Sequence, residues 1–498
     1  MNTNLNCTNQ IIQFMSHTFQ KLILIVLLVA VFTGCDKKSV SGESYTKPNP
    51  NGTPVKTDVS FWLTSPVRQI LFKEQNISLN FGGQNAQYPV IEVNGSQTYQ
   101  TMDGFGYTLT GGSAIWINRM DKASRATLLN ELFAADGTNI GVSYLRVSIG
   151  ASDLSDRVFT YNDLASGETD TELKRFSIDY ERTDLIPVLK EILAIDPKIK
   201  ILGSPWSAPS WMKDNNDSRG GSLKTEYFDV YARYFVKYIQ EMAKEGITID
   251  AVTIQNEPLH PGNNPSMYMT AADQALFIKK SLGPVFEAAQ IKTKIIVYDH
   301  NADRTDYPVS ILNDPEAAKY VDGSAFHLYG GSIDALAEVH SKFPNKNLYF
   351  TEQWVGAPGN LAGDLVWHTR MLTIGASRNW CKTVLEWNLA ANATYDPHTD
   401  RGGCDKCLGA VTISGNDVTR NPAYYIIAHA SKFVRPGSVR IESTTSGILP
   451  NVAFLTPEGK KVLIVLNNSD EIQSFNIRSN GNYVVATLDK GAVGTFVW

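Results

Sequence analysis

Eight short apolar runs alternate with helical patterns along the middle of this chain, and few folds accept that arrangement. The runs cover residues 104–110, 143–149, 200–205, 251–255, 294–298, 323–327, 348–351 and 383–387. Most are continuous in apolar and β-branched residues, as a strand covered on both faces requires. Residues 122–135, 183–194, 226–246, 271–289 and 361–379 read instead as helices. Within 226–246, Phe228, Tyr231, Phe235, Tyr238, Ile239 and Met242 share one helical face, and Gly246 stands where such a helix would end. Strands alternating with helices predict a parallel sheet. Eight of them predict a closed (β/α)8 TIM barrel, here assigned to residues 99–436.

The flanks read differently. Residues 59–98 contain SFWLTS, QILFKEQ, ISLNF and PVIEVNG, separated by turn residues such as Asn80, Gly82, Gly83, Asn94 and Gly95. Residues 437–498 have the same character. The two sets are expected to join into one antiparallel β-sandwich, discontinuous in sequence because the barrel is inserted between them.

The N-terminus reads as an address. Lys21 precedes a wholly apolar run over 22–32, which ends in Thr33-Gly34-Cys35 and then Asp36-Lys37-Lys38. The run is short for a permanent membrane span and has the shape of a signal-peptide core. A small residue before Cys35 resembles the lipobox of bacterial lipoproteins, with Phe32 where leucine is usual. That resemblance implies cleavage after residue 34, a lipid on the Cys35 sulfur, and an exported lipoprotein of the outer membrane, facing the cell surface or the periplasm. The alternative is an ordinary signal peptide with an incidental cysteine. Residues 1–14 carry no charge, so Met15 is an alternative start. Residues 35–58 are rich in Ser, Lys, Pro, Asn and Gly and read as a tether.

Charge excludes little but gives no support to a nucleic-acid partner. Lysine and arginine number 45 against 50 acidic residues, for a net charge of −5. Of the 5 cysteines, Cys7 lies before the cleavage point and Cys381 reads as a buried small hydrophobe. Cys404 and Cys407 form a CxxC in a Gly-rich loop. Zinc would need two further ligands at matching spacing, and a redox motif would need a thioredoxin-like context. In an exported chain a short disulfide pinning the loop is the expectation. No metal and no cofactor are expected, and the chain is expected to be a monomer.

A barrel gathers its strand ends on one face, and here those ends are polar or aromatic: Arg146, Trp206, Asn256-Glu257, Asp299-His300-Asn301, His327, Tyr329, Glu352, Trp354 and Trp387-Asn388. Singly, each has a bland explanation. An arginine at a strand end is often an ion-pair partner, a lone histidine is more often a core residue than a catalyst, and a tryptophan usually packs. Glu257 and Glu352, each closing a strand, suit one chemistry in particular, which is glycoside hydrolysis by an acid and a nucleophile. Glu257 would be the acid, kept protonated by apolar surroundings and by the charge on Glu352. Glu352 would be the nucleophile, kept ionised by donors such as His327, Tyr329 or Arg146. Asn256 would hydrogen-bond a sugar 2-hydroxyl.

The segments GFGYTLTGGSA (104–114), YLRVSIGASDLS (144–155), ILGSPWSAPSWMK (201–213), TIQNEP (253–258), FHLYGG (326–331), FTEQW (350–354) and WNLA (387–390) resemble glycoside hydrolase family 30. This family includes glucosylceramidases and β-1,6-glucanases. The resemblance covers most of 59–498 and implies a retaining mechanism and a barrel with a side-attached β-sandwich. Glu257 matches the family's acid/base and Glu352 its nucleophile. Arg146, Asp153, Trp206, Asn256, His327, Tyr329 and Trp387 match positions around the first sugar. The loop DRGGCDKCLGAVTI (400–413) resembles the β-1,6-glucanase branch. One position departs: many members carry an aspartate where this chain has Gly111, and in glucosylceramidase-like members it grips outer hydroxyls of a terminal glucose. Its loss is expected to open space at the 6-hydroxyl and to favour endo cleavage of a β-1,6-glucan, unless Gly111 merely serves a turn and another residue supplies the grip. The alternatives are a β-glucosidase or glucosylceramidase-like enzyme, a β-xylosidase and, from another class, a surface glycan-binding lipoprotein without turnover.

Overall fold

The computed structural model describes residues 56–498. The leader, Cys7, Cys35 and most of the expected tether lie outside them.

Eight parallel strands close into a barrel in chain order: Gly104–Thr108, Tyr144–Ser148, Lys200–Ser204, Ala251–Thr253, Lys294–Ala302, Val321–Gly331, Asn347–Glu352 and Cys381–Asn388. Successive side chains on a strand alternate between the barrel interior and the surrounding helices. Leu145, Val147, Ile201, Val252, Phe326 and Phe350 face outward into the main core. Tyr144, Leu202, Ala251, Ile296, Ala325, Tyr349 and Leu385 form an apolar layer inside. One step of two residues toward the C-terminal ends, the interior positions become Arg146, Ser204, Thr253, His327, Thr351 and Trp387. An apolar plug thus carries a polar layer directly above it.

The fifth strand breaks the alternation. Its pairing with the sixth shifts between Tyr298 and His300, and both Tyr298 and Asp299 adopt left-handed backbone, with φ of 76° and 64°. Such a bulge re-aims the side chains that follow it. Tyr298 turns out against Tyr307, with ring centroids 4.9 Å apart, and Asp299 takes the interior place.

Nine strands form one hydrogen-bonded ladder, in which Ser60–Ser65, Ile70–Glu74 and Val90–Thr101 from the N-terminal side join six strands from 439–497. The ladder folds over a second core containing Phe61, Ile91, Phe475 and Phe496. Phe475 meets Phe496 at 6.0 Å, although their strands are not neighbours in the ladder. The opposite face, including Trp62, Phe454 and Ile464, packs on the barrel core. The expected strand around ISLNF is absent, since 77–80 lie outside any strand.

Two expected helices differ in detail. Residues 271–289 run as Ala271–Phe277, a π-helical turn Ile278–Leu282, and Gly283–Ala288. Pro284 lacks an N–H and cannot close the ordinary bond, so the wider turn falls just before it. Residues 361–379 likewise contain the π-helical stretch Thr369–Ala376. The structure adds helices Gly111–Arg119, Ala335–Lys342 and Pro422–Ser431 to those expected. Among the described residues, no helix is long and apolar enough to cross a membrane.

Candidate active site

Arg146 stands fully buried at the centre of the polar layer. One terminal nitrogen donates to Glu352 Oε2 at 2.5 Å. The other donates to Asp299 Oδ2 at 2.8 Å, to Asn256 Oδ1 at 2.6 Å and to Ser204 Oγ at 3.2 Å. Its guanidinium lies 4.8 Å from the Trp206 ring and 5.8 Å from that of Trp387, which adds cation–π attraction.

Asp299, also fully buried, is the second hub. Besides Arg146 it accepts from Ser204 Oγ and Thr253 Oγ1 at 2.8 Å and from Thr351 Oγ1 at 2.6 Å. Burial opposes its charge, but Arg146, His327 and Thr351 outweigh it and hold the carboxyl far below the usual range. The sequence places Asp299 at a strand end but gives no signal that sets it in the site. Its inward turn depends on the bulge, which strict alternation does not foresee.

His327 links this hub to both glutamates. Nε2 lies 3.1 Å from Asp299 Oδ1 and Nδ1 lies 3.1 Å from Glu257 Oε1, with Glu352 Oε1 3.9 Å from Nδ1. Burial alone would discharge the ring. Glu352, Asp299 and Glu257 prevail and raise it to about 9. His300, 3.9 Å from Glu257 Oε1, has no such company, and burial lowers it to about 4.

Glu257 ends the fourth strand's loop in left-handed backbone, φ 45°. Its N–H donates to the Asp299 carbonyl at 3.0 Å, so the two irregular turns brace each other. Backbone of this kind costs on the order of 1–3 kcal/mol and persists where surroundings enforce it. Glu352 accepts from the Tyr329 hydroxyl at 3.1 Å on Oε1. One carboxyl oxygen of each glutamate lies within 4.8 Å of the other.

Burial pushes both glutamates toward the neutral form. At Glu257 the hydrogen bond and charge of His327, with His300 and His260 behind it, outweigh burial and hold the carboxyl below its ordinary range. At Glu352 the charges of His327 and Arg146 fall short of burial, and the carboxyl stands above it. Taken singly, these directions oppose an acid at 257 and a nucleophile at 352. The partners differ in kind, however. Arg146 cannot release its proton, whereas His327 can pass one to Glu257 along their hydrogen bond.

Glu257, His327 and Glu352 are close enough to hold a cation. Both His327 nitrogens already face carboxylates and the ring favours its charged form, which leaves no lone pair to ligate.

The remaining candidates surround this centre. Trp206 and Trp387 pack at 5.5 Å. Together with Leu154 and Cys407 they form a small cluster, with Trp354 and Cys404 against it. Asn388 Oδ1 accepts from the hydroxyls of Thr110 and Ser113 at 3.1 and 2.8 Å, so it braces the first helix. Asp153 is buried, and burial with the nearby charges of Glu352 and Glu257 raises it to about 7. Tyr329 keeps 41% exposure while its hydroxyl reaches Glu352. Gly111 opens the first helix, and a Cβ there would stand 3.1 Å from Ser155 Oγ. Cys404 and Cys407 are joined by a disulfide, and Cys381 is free and buried. Buried Lys213, donating to Ser207 Oγ at 2.9 Å and to the carbonyls of Ser218 and Ser266 at 3.1 and 2.8 Å, ties together the loops after the third and fourth strands.

Known proteins resemble both halves of the chain. The sequence profile described as the Glycosyl hydrolase family 30 TIM-barrel domain matches residues 102–434, and the family's beta sandwich domain matches 437–496. An endo-1,6-β-D-glucanase of Aspergillus fumigatus is 35% identical, over 83% of this chain and 86% of its own. The lysosomal acid glucosylceramidase of Mus musculus is 30% identical, over 82% of this chain and 83% of its own. An endo-β1,6-glucanase of solved structure superposes with a TM-score of 0.83 at 35% identity, covering 89% of this chain and 99% of that one.

Proposed function

This chain belongs to glycosyl hydrolase family 30, and on that premise we propose that it is a retaining enzyme that cuts within β-1,6-linked glucan. The observation that carries the mechanism is that one carboxyl oxygen of Glu257 lies within 4.8 Å of one of Glu352. Retaining pairs stand about 5–5.5 Å apart, whereas inverting pairs leave about 6.5–9.5 Å for a water.

Glu352, ionised beside Arg146 and Tyr329, attacks the anomeric carbon. Glu257 receives its proton along the hydrogen bond from His327 and delivers it to the departing O6 of the next glucosyl unit. A covalent glycosyl–Glu352 ester forms as that bond breaks. Glu257, now ionised, takes a proton from water, which attacks the same carbon and releases Glu352. Asn256 presents its amide N–H to the sugar 2-hydroxyl, since its carbonyl oxygen is taken by Arg146. Trp206 and Trp387 wall the sugar, with Asp153, Trp354 and Asn388 around it. The likeness to endo-1,6-glucanases of Aspergillus fumigatus and Trichoderma harzianum supports the linkage. The bare backbone at Gly111 supports an endo mode.

Product analysis on β-1,6-glucan, beside laminarin-type and xylan controls, tests the reading. Early release of short 1,6-oligosaccharides by the wild type and not by Glu352→Gln is expected. Hydrolysis of an aryl β-glucoside or a glucosylceramide with the 1,6-glucan untouched would move the substrate and keep the mechanism. The leader pattern around Cys35 further supports an exported, lipid-anchored protein at the outer membrane. Labelling with a radioactive fatty acid, lost in Cys35→Ala, is the expected result, and an unlabelled wild type would remove the anchor.

A further inference from the structure

The loop after the eighth barrel strand is anchored on both sides of the site. Near its start, the Thr399 N–H donates to the Asp153 carbonyl at 2.9 Å. Near its end, Cys407–Leu408 pairs with Val355–Gly356, just beyond Glu352, and the Lys406 carbonyl accepts from Ala357 N–H at 2.9 Å. The Cys404–Cys407 disulfide closes the span between these anchors and lies in the cluster of Leu154, Trp206, Trp354 and Trp387. Two glycines let the loop sit down: a Cβ at Gly402 would come 2.5 Å from the Gly262 carbonyl, and one at Gly403 2.3 Å from that of Thr399. From the opposite side, the Gly112 N–H donates to the Leu154 carbonyl at 2.9 Å. A Cβ at Gly112 would meet that oxygen at 2.7 Å. The segment carrying Asp153 is therefore held in a vise, with a bare helix start on one side and the disulfide loop on the other.

We propose that the Cys404–Cys407 loop is a positioning element of the sugar site: by holding the Asp153 main-chain carbonyl through Thr399, it sets the Asp153 carboxyl against the sugar whose anomeric carbon is attacked. The inference rests on the glycosidase reading above and adds to it the element that fixes the segment carrying Asp153. Its electrostatics agree. Burial, Glu352 and Glu257 all drive Asp153 toward the neutral form, and the backbone N–H of Cys404 is among the few groups working against them. A carboxylate poised in this way depends on each of its donors. A loop released from its disulfide would let that N–H drift, neutralising and misplacing Asp153 together.

The test compares wild type, wild type reduced with a phosphine and checked by thiol counting, and Cys404→Ser/Cys407→Ser. Each is assayed across pH on 4-nitrophenyl β-glucoside and on a β-1,6-linked gluco-oligosaccharide. Displacement of a binding group by about 1 Å predicts a fall in kcat/KM of roughly ten- to a hundredfold in both open-loop forms. The rise of kcat/KM with pH should also move to higher pH, because removing an N–H donor raises Asp153. The melting temperature should change little, since so short a ring contributes little loop entropy. Unchanged kcat/KM in the fully reduced enzyme and the double variant would overturn the proposal. So would a fall with no displacement of the pH profile, which would mark the loop as merely structural. If wild type cleaves the aryl glucoside and spares the 1,6-linked substrate, the glucan reading fails while the aryl glucoside still reports on the loop.

Discussion

Two fully buried histidines respond to burial in opposite ways. His327, in the barrel mouth, is raised to about 9. His429, on the helix Pro422–Ser431 that meets the sandwich, is lowered to about 3. His429 lies between the hydroxyls of Thr495 and Thr64, at 2.9 and 2.8 Å, with Phe72 packed on its ring at 5.0 Å. His327 lies among Glu257, Asp299 and Glu352. Low-dielectric surroundings penalise charge at both places, and only carboxylates reverse the outcome. Where the fold needs only to join two layers, it buries a neutral ring. Where it retains several buried charges in one layer, those charges serve chemistry, because apolar packing would hold a barrel together at least as well.

The comparison breaks most visibly at Arg146. Arg146→Met would leave Asp299 and Glu352 buried without their cation, a loss on the order of 3–5 kcal/mol in urea unfolding, together with activity. Stability near that of wild type would mean that the mouth is no more charged than the sandwich interface.

The histidines predict stability slopes of opposite sign. The His327 contribution is complete below its ordinary pKa of 6.5 and is lost as pH rises through about 9. The His429 contribution is complete above 6.5 and is lost as pH falls toward about 3. Each amounts to a few kcal/mol, on the order of 1.4 kcal/mol per pH unit across its window. Urea unfolding at a series of pH values should therefore show a flatter acid side in His429→Gln and a flatter alkaline side in His327→Gln. Exchanged or unaltered slopes would contradict the contrast.

The smallest effect is expected at the rim. Arg401 pairs with Asp217 at 3.0 Å, but both side chains are nearly half exposed. Arg401→Ala should change stability by less than about 1 kcal/mol. A larger loss would show that the rim loops share the energetics of the buried layer.

The barrel and its two glutamates were legible because parallel strands write themselves as unbroken apolar runs, and a carboxylate closing such a run stands out. The sandwich was legible as alternation at both ends of the chain, but its expected all-antiparallel order was not met, since Gln473–Ser479 pairs in parallel with Val90–Thr101. Asp299 was not, because its place depends on a one-residue bulge and on partners from several other strands. The same limit applies to Thr399, whose importance lies in a contact with Asp153 far away in sequence. The π-helical turn before Pro284 keeps the apolar spacing of an ordinary helix and leaves no mark in the pattern. What sequence periodicity cannot carry is a local break in periodicity, and the break at Tyr298–Asp299 is the one that builds the site.

The carboxyl spacing is the central claim, and the anomer formed first tests it most directly. Proton NMR of a β-glucoside during early turnover should show the β-anomer of the released sugar before mutarotation produces the α form. If the α-anomer appears first, the reaction inverts, and the assignment of Glu352 as a covalent nucleophile is wrong.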